Sequence, residues 1–210
     1  EEESKALNYL GNTHGGMLNI GEEWYIFYHR QTNQHSYSRQ ACAERLEHPA
    51  PGVFRQAEVT SCGLNGGPLG GTGKYEARIA CNLWSKNGVA RYDKKFDKKA
   101  HPYFTQTGKD RMENGDQYIA NMRDGAVAGF KYFGFGGEKR IRLAVSGVCS
   151  GIVEVSHTPD FKAVIARIPV SAKAEQENAG GAFAPQKGTQ PLYFRYTGEG
   201  AMNFHTFEMR

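Results

Sequence analysis

No stretch of this 210-residue chain approaches the ~18 consecutive apolar residues of a membrane-spanning helix, which argues against a membrane partner. Cysteine is scarce: Cys42, Cys62, Cys81 and Cys149 stand 20, 19 and 68 positions apart. Those spacings fit neither a zinc site nor a CxxC redox pair. Three of the four fall in strand-like segments, where a free cysteine packs as a small hydrophobe, and a pair among the first three stays open. Helix signals are missing as well. Ser171–Ala182 permits a helix but has no apolar stripe and ends in Gly180-Gly181, so it reads as a loop. The start, Glu1-Glu2-Glu3-Ser4-Lys5, is acidic and polar rather than a cationic, apolar leader, which leaves the compartment open if a longer precursor precedes it.

What is present is aromatic and glycine-rich. Twelve Phe, 11 Tyr and 26 Gly, without long Leu/Ala runs, predict an all-β chain of short strands and tight turns. The formal charge of +4 owes much to Arg91, Lys94, Lys95, Lys98 and Lys99. That run is short, carries Asp93 and Asp97, and adjoins no nucleic-acid motif. It reads as a solvated linker, and no nucleic-acid partner is expected.

The linker divides the chain into residues 1–88 and 89–210. In the first unit, strands are expected at Met17–Ile20, Trp24–His29, Ser36–Glu44, Phe54–Thr60 and Tyr75–Leu83. That amounts to one four-stranded propeller blade with a tail, and the pattern has no second copy in the chain. One blade alone leaves both sheet faces uncovered. In the second unit, short strands near 118–122, 127–133, 141–146, 151–157, 164–169, 191–196 and 201–209 predict a jelly-roll β-sandwich.

The polar residues of the first unit gather at one rim. His14 sits between small residues, Gly11, Gly15 and Gly16, just before a strand, and Arg39 opens another strand. Glycines there allow close backbone approach, and an arginine fork suits vicinal hydroxyls. The plainer readings are a loop histidine satisfied by backbone and an arginine at a solvent edge. No acid partner is evident: Glu22 and Glu23 lie in a turn, and Glu44 and Glu58 sit in no catalytic motif. Trp24, Tyr25, Phe27 and Tyr28 are read as blade core rather than sugar platforms. The site looks incomplete, as part of a sugar-processing protein would.

Two sets of residues carry a resemblance. Asn12-Thr13-His14-Gly15-Gly16, Trp24 to Asn33 and Ser38-Arg39-Gln40 resemble the last blade of family 43 glycoside hydrolases. Ser61 to Leu69 resembles the segment that follows it in members acting on arabinoxylan and xylo-oligosaccharides. Pro102–Gln106, Tyr118–Gly125 and Leu192–Tyr196 resemble the β-sandwich of family 6 carbohydrate-binding modules. The resemblance implies the closing blade of a five-bladed propeller, incomplete in this chain, followed by that sandwich. It implies an inverting hydrolase of arabinofuranosyl or xylosyl linkages whose three carboxylates come from upstream blades. By the same resemblance His14 lies near the propeller axis, at the sugar subsite or touching a structural calcium through water. Arg39 reaches the sugar of the cleaved-residue subsite, and Phe130 is a sugar-stacking aromatic of the sandwich. The implied partners are arabinoxylan or xylo-oligosaccharide and the upstream blades, with no organic cofactor. The source is expected to be bacterial, secreted or cytoplasmic. The chain departs from the module pattern in two places. Only Phe183 occupies the stretch where a second stacking aromatic is expected, and Ala201 stands where a binding asparagine is expected, with Asn203 two positions on. A working sugar binder and a structural cover for the propeller both stay open for the sandwich, as does a purely non-catalytic or structural role for the whole chain.

Overall fold

The computed structural model describes residues 5–8, 11, 14–91, 100–108 and 115–210. The chain is all-β, and its only helical pieces among the described residues are 3₁₀ turns. No helix among those residues is long and apolar enough to cross a membrane. Of the basic run, Lys94, Lys95, Lys98 and Lys99 lie outside the described residues, as do Asn12 and Thr13.

The first sheet is an antiparallel meander of β1 (Gly15–Ile20), β2 (Glu23–Thr32) and β3 (His35–Leu46). Asn33 and Gln34 link β2 to β3 with φ of 55° and 51°. A two-residue turn with both residues left-handed matches the right-handed twist of the flanking strands. The expected fourth strand, Phe54–Thr60, belongs to no sheet. Instead Phe54 packs edge-on against Trp24 at 5.1 Å, and Thr60 bonds to Glu44, so the segment is held by side chains rather than by a ladder.

The second sheet is curled and nine-stranded. Its main path runs β11 (Val164–Ala182), β10 (Arg140–Ser156), β12 (Gly188–Met209), β8 (Gln117–Met122), β7 (Tyr103–Gln106). β9 (Val127–Phe135) pairs with β12 from Gly188 to Arg195, while β10 pairs with it from Tyr193 to Met209. Tyr193–Arg195 of β12 therefore lie between β9 and β10 in the ladder. The curled sheet encloses Phe130, Phe133, Phe194, Phe204 and Phe207, whose rings meet largely edge to face.

The expected strand Tyr75–Leu83 is broken by a 3₁₀ turn, Ala77–Ile79, into β5 (Gly73–Glu76) and β6 (Asn82–Trp84). With β4 (Leu69–Gly70), these pair with β9 and β12. Pairing within the sandwich thus begins before the boundary expected at residue 88.

Two further expectations change. Ser171–Ala182 is not a loop but the second half of β11, paired with β10 along the sheet edge. Its side chains are mostly exposed, so no apolar alternation marks it, and the neighbouring backbone supplies what side chains do not. Likewise β10 and β12 run unbroken through glycines that read as turns. A Cβ on Gly200, at φ +77°, would meet Val148 O at 2.0 Å, so this glycine serves strand approach rather than chain reversal. All four cysteines are free.

Candidate functional site

The register of the blade fixes where the rim residues stand. Gly15 pairs with Tyr28, which places His14 beside His29. Their rings stack at 5.4 Å with 27° between planes, and His14 is exposed. On the other side of β2, His29 pairs with Ala41 and Gln31 with the half-buried Arg39. Directly opposed residues share a face, as do residues two apart. His14, His29 and Arg39 therefore lie on one face at one end of the blade. The carboxylate on that face is Glu23, which pairs with Arg45. Six residues separate it from His29 along β2, about 20 Å at strand rise.

The opposite face carries a denser polar group. Arg30 is buried, at 6% exposure. It donates to the carbonyls of Ala80 and Arg78 and to Gln40 Oε1 at 2.8 Å, and it lies 3.6 Å over the Phe104 ring. One blade residue thus bonds the sandwich backbone and stacks on its β7. Glu44, 4% exposed, accepts from Tyr28 OH at 3.1 Å, Thr60 N at 2.8 Å and Thr60 Oγ1 at 2.6 Å. Burial raises its pKa despite those donors. Glu58 lines the same cleft, a cavity of about 430 Å³ that also meets Arg45, Arg55 and Tyr132. Burial pushes Glu58 upward, but bonds from Lys131 at 2.7 Å and Tyr132 at 2.9 Å outweigh it and hold the pKa below the ordinary value.

Carboxylates pushed apart in one cleft suggest acid–base work. Here the geometry opposes it. Both Glu44 oxygens are taken by donors, so the group ties the 54–60 segment to the blade and offers nothing to a substrate.

Phe130 is misplaced by the sequence reading. It has no exposed surface and packs against Phe194, Phe204 and Phe207, so it offers no face to a sugar. Phe183 is 2% exposed and also in the core. Calcium finds no ligand set here. Among the described residues no three His, Cys, Asp or Glu side chains group as a metal site, and His14 offers nitrogen beside a second imidazole. Calcium takes oxygen ligands, so the residues present do not fit that ion by themselves.

No family model matches the sequence. A protein named xylosidase/arabinosidase from Thermoclostridium stercorarium is 40% identical over 207 residues, 98% of this chain and 43% of that protein. Over nearly its whole length this chain is similar to a xylosidase/arabinosidase. Among solved structures, a family 43 arabinoxylan arabinofuranohydrolase from Bacillus subtilis, in complex with cellotetraose, aligns with TM-score 0.61 at 19% identity. The alignment covers 95% of this chain and 41% of that one. A family 6 module from Clostridium stercorarium, in complex with cellobiose, aligns with TM-score 0.53 at 13% identity over 69% of this chain and 97% of the module. The fold expected from the resemblance, a family 43-like sheet with a family 6-type sandwich, is borne out, and the chain spans less than half of the two longer proteins.

The 69% shared with the module is about 145 residues, more than lie between 89 and 210, in keeping with sandwich strands that start at Leu69. Sequence reasoning missed Arg30 and Glu44. Alternation alone could have flagged them, since both fall on the Tyr28 face of the blade, but nothing in the sequence says that another unit covers that face.

Proposed function

We propose that this chain forms the closing blade and accessory sandwich of a hemicellulose-degrading glycoside hydrolase, inverting, with arabinofuranosyl or xylosyl linkages as substrate. The observation that carries this is the 40% identity to a xylosidase/arabinosidase across 98% of the chain. Within that reaction His14 and Arg39 contact the sugar at the blade rim, and upstream blades supply the acid and base. The exposed edge strand β1, with Met17, Leu18 and Ile20 at 53%, 54% and 46% exposure, is the surface those blades would cover. An arabinoxylan or xylo-oligosaccharide is the expected ligand, in keeping with the cellotetraose and cellobiose named for two of the structural neighbours.

The test is a chimaera in which this chain replaces the matching 43% of the Thermoclostridium protein. It should hydrolyse an aryl arabinofuranoside or xyloside, and His14→Ala and Arg39→Ala should each lower kcat/KM by about a hundredfold. A folded chimaera without turnover, or one indifferent to both substitutions, overturns the assignment.

For the sandwich, the buried Phe130 and Phe183 favour a structural cover over a module that stacks sugars through those rings. Retention on an arabinoxylan affinity gel by the purified chain would reverse that preference.

A further inference from the structure

Three irregularities of the large sheet converge on one spot away from the aromatic core. β10 and β11 shift register between Val145 and Gly147, leaving out Ser146 and, across from it, Glu175 and Gln176. β10 and β12 shift at Ala144/Val145, which leaves out His205. β12 and β8 shift between Met202 and Phe204, which leaves out Asn203 and, opposite, Ala120 and Asn121. Bulges re-aim side chains and gather next to active sites. The backbone is strained at the same place: Asn121, Gly147 and Ala174 have φ of +60°, +91° and +78°.

The displaced polar groups bond to one another in sequence. The Asn121 N–H donates to Asn203 Oδ1 at 3.2 Å, which aims the other end of that amide. Asn203 Nδ2 donates to Ser146 Oγ at 3.4 Å. Ser146 Oγ lies 2.8 Å from His205 Nε2. Ser146 Oγ can accept from Asn203 and still donate its one hydrogen to Nε2, and in that tautomer the imidazole hydrogen is on Nδ1. That Nδ1 is buried with no hydrogen-bond partner, and Asp116 Oδ2 stands 3.8 Å away. A buried donor without a partner is costly, a cost that a purely structural histidine would avoid. The ring stacks on Tyr118 at 4.6 Å and is 9% exposed, whereas Asp116 is 59% exposed and can swing inward. Burial holds His205 below its ordinary pKa against the pull of Asp116, so the ring is neutral near pH 7.

We propose that Ser146, His205, Asp116 and Asn203 form an ester-hydrolysing centre acting on an acyl ester of a carbohydrate. Ser146 Oγ attacks the acyl carbon and passes its proton to His205 Nε2, while Asn203 Nδ2 donates to the developing oxyanion. The bond from carbon to the alcohol oxygen breaks, and the alkoxide takes the proton from Nε2. Water then attacks the acyl-serine and gives its proton to Nε2. The carboxylic acid leaves as Ser146 Oγ recovers that proton. Asp116 is a positioning residue: it closes by about 1 Å to accept from Nδ1 and hold the ring. The ester chemistry is independent of the glycosidase reading, and only the carbohydrate part of the substrate rests on it.

The full chain is treated with a fluorophosphonate probe, with p-nitrophenyl acetate and with acetylated xylan. The expected result is probe bound covalently at Ser146 by peptide mapping, with acetate released from both esters. Ser146→Ala and His205→Gln abolish both, and Asn203→Ala lowers kcat about a hundredfold with KM unchanged. Asp116→Asn lowers kcat and moves the acid limb of its pH profile to lower pH, because the lost carboxylate no longer favours the protonated ring. Release from the aryl ester but not from xylan supports the centre and removes the carbohydrate ester. Natively folded chain that leaves Ser146 unlabelled, or turnover that survives Ser146→Ala, overturns it whatever the variants' stability.

Discussion

Arg30 is one of several residues that join the two units, beside Asn33 and Glu58. Its planar fork reaches two backbone carbonyls and Gln40 while its face lies on Phe104. Lysine has neither the fork nor the flat face. Arg30→Ala should cost about 3 kcal/mol, and Arg30→Lys should recover little of it, as read by urea unfolding. The loss should appear as earlier separation of blade from sandwich, so that Trp24 fluorescence and far-ultraviolet dichroism no longer change together. Phe130→Ala should cost about 3–5 kcal/mol and leave any retention on arabinoxylan unchanged, since the ring is core. At Glu44 the sign of the pH effect follows from its raised pKa. The folded chain keeps this proton where the unfolded chain has lost it, so the stability it contributes is full below the ordinary carboxylate range and is lost as pH rises through the raised value. Glu44→Gln removes that slope. Urea midpoints for parent and variant should therefore diverge, in the variant's favour, as pH rises above the ordinary carboxylate value. Parallel midpoints would mean that Glu44 is not buried in solution.

At the scale of elements, β1 is the anomaly. It pairs along one edge only, and all six of its residues are exposed. Met17, Leu18 and Ile20 gain nothing there in the isolated chain, so Leu18→Lys should change its stability by less than about 0.5 kcal/mol. The same substitution should reduce self-association measured by light scattering, because it puts a charge on an open apolar edge. In the chimaera with the Thermoclostridium protein it should instead destabilise, by burying that charge against the preceding blade. The large sheet manages its own edge differently. β11 carries Lys173, Glu175 and Glu177 along its exposed stretch, and such charges discourage pairing with another chain. These residues were legible as polar but not as strand, since an edge strand with both sides wet has no two-residue apolar period to reveal it. By contrast β2 and β9 were readable over most of their length, because each is a short run rich in aromatic residues bounded by turn residues.

At the scale of the whole molecule, the chain joins a three-stranded sheet with an exposed edge strand to a nine-stranded sheet that encloses an aromatic core. The purified chain should not hydrolyse aryl arabinofuranosides or xylosides, because no acid stands beside His14 and Arg39 among the described residues. Turnover lost on mutating a carboxylate of this chain would contradict that. The sequence by itself determined the all-β class, the blade-then-sandwich order and the residues of the blade rim. Each of these is written in local patterns: alternation, glycine punctuation and a glycine-flanked histidine ahead of an aromatic strand. Only the tertiary structure decided which aromatics face sugar and which face one another, where the sandwich begins, and which polar residues meet across β8, β10 and β12. Those depend on pairings between residues as much as 136 positions apart and on shifts of one residue in register. A one-residue shift turns a side chain to the opposite face, and no local pattern records it.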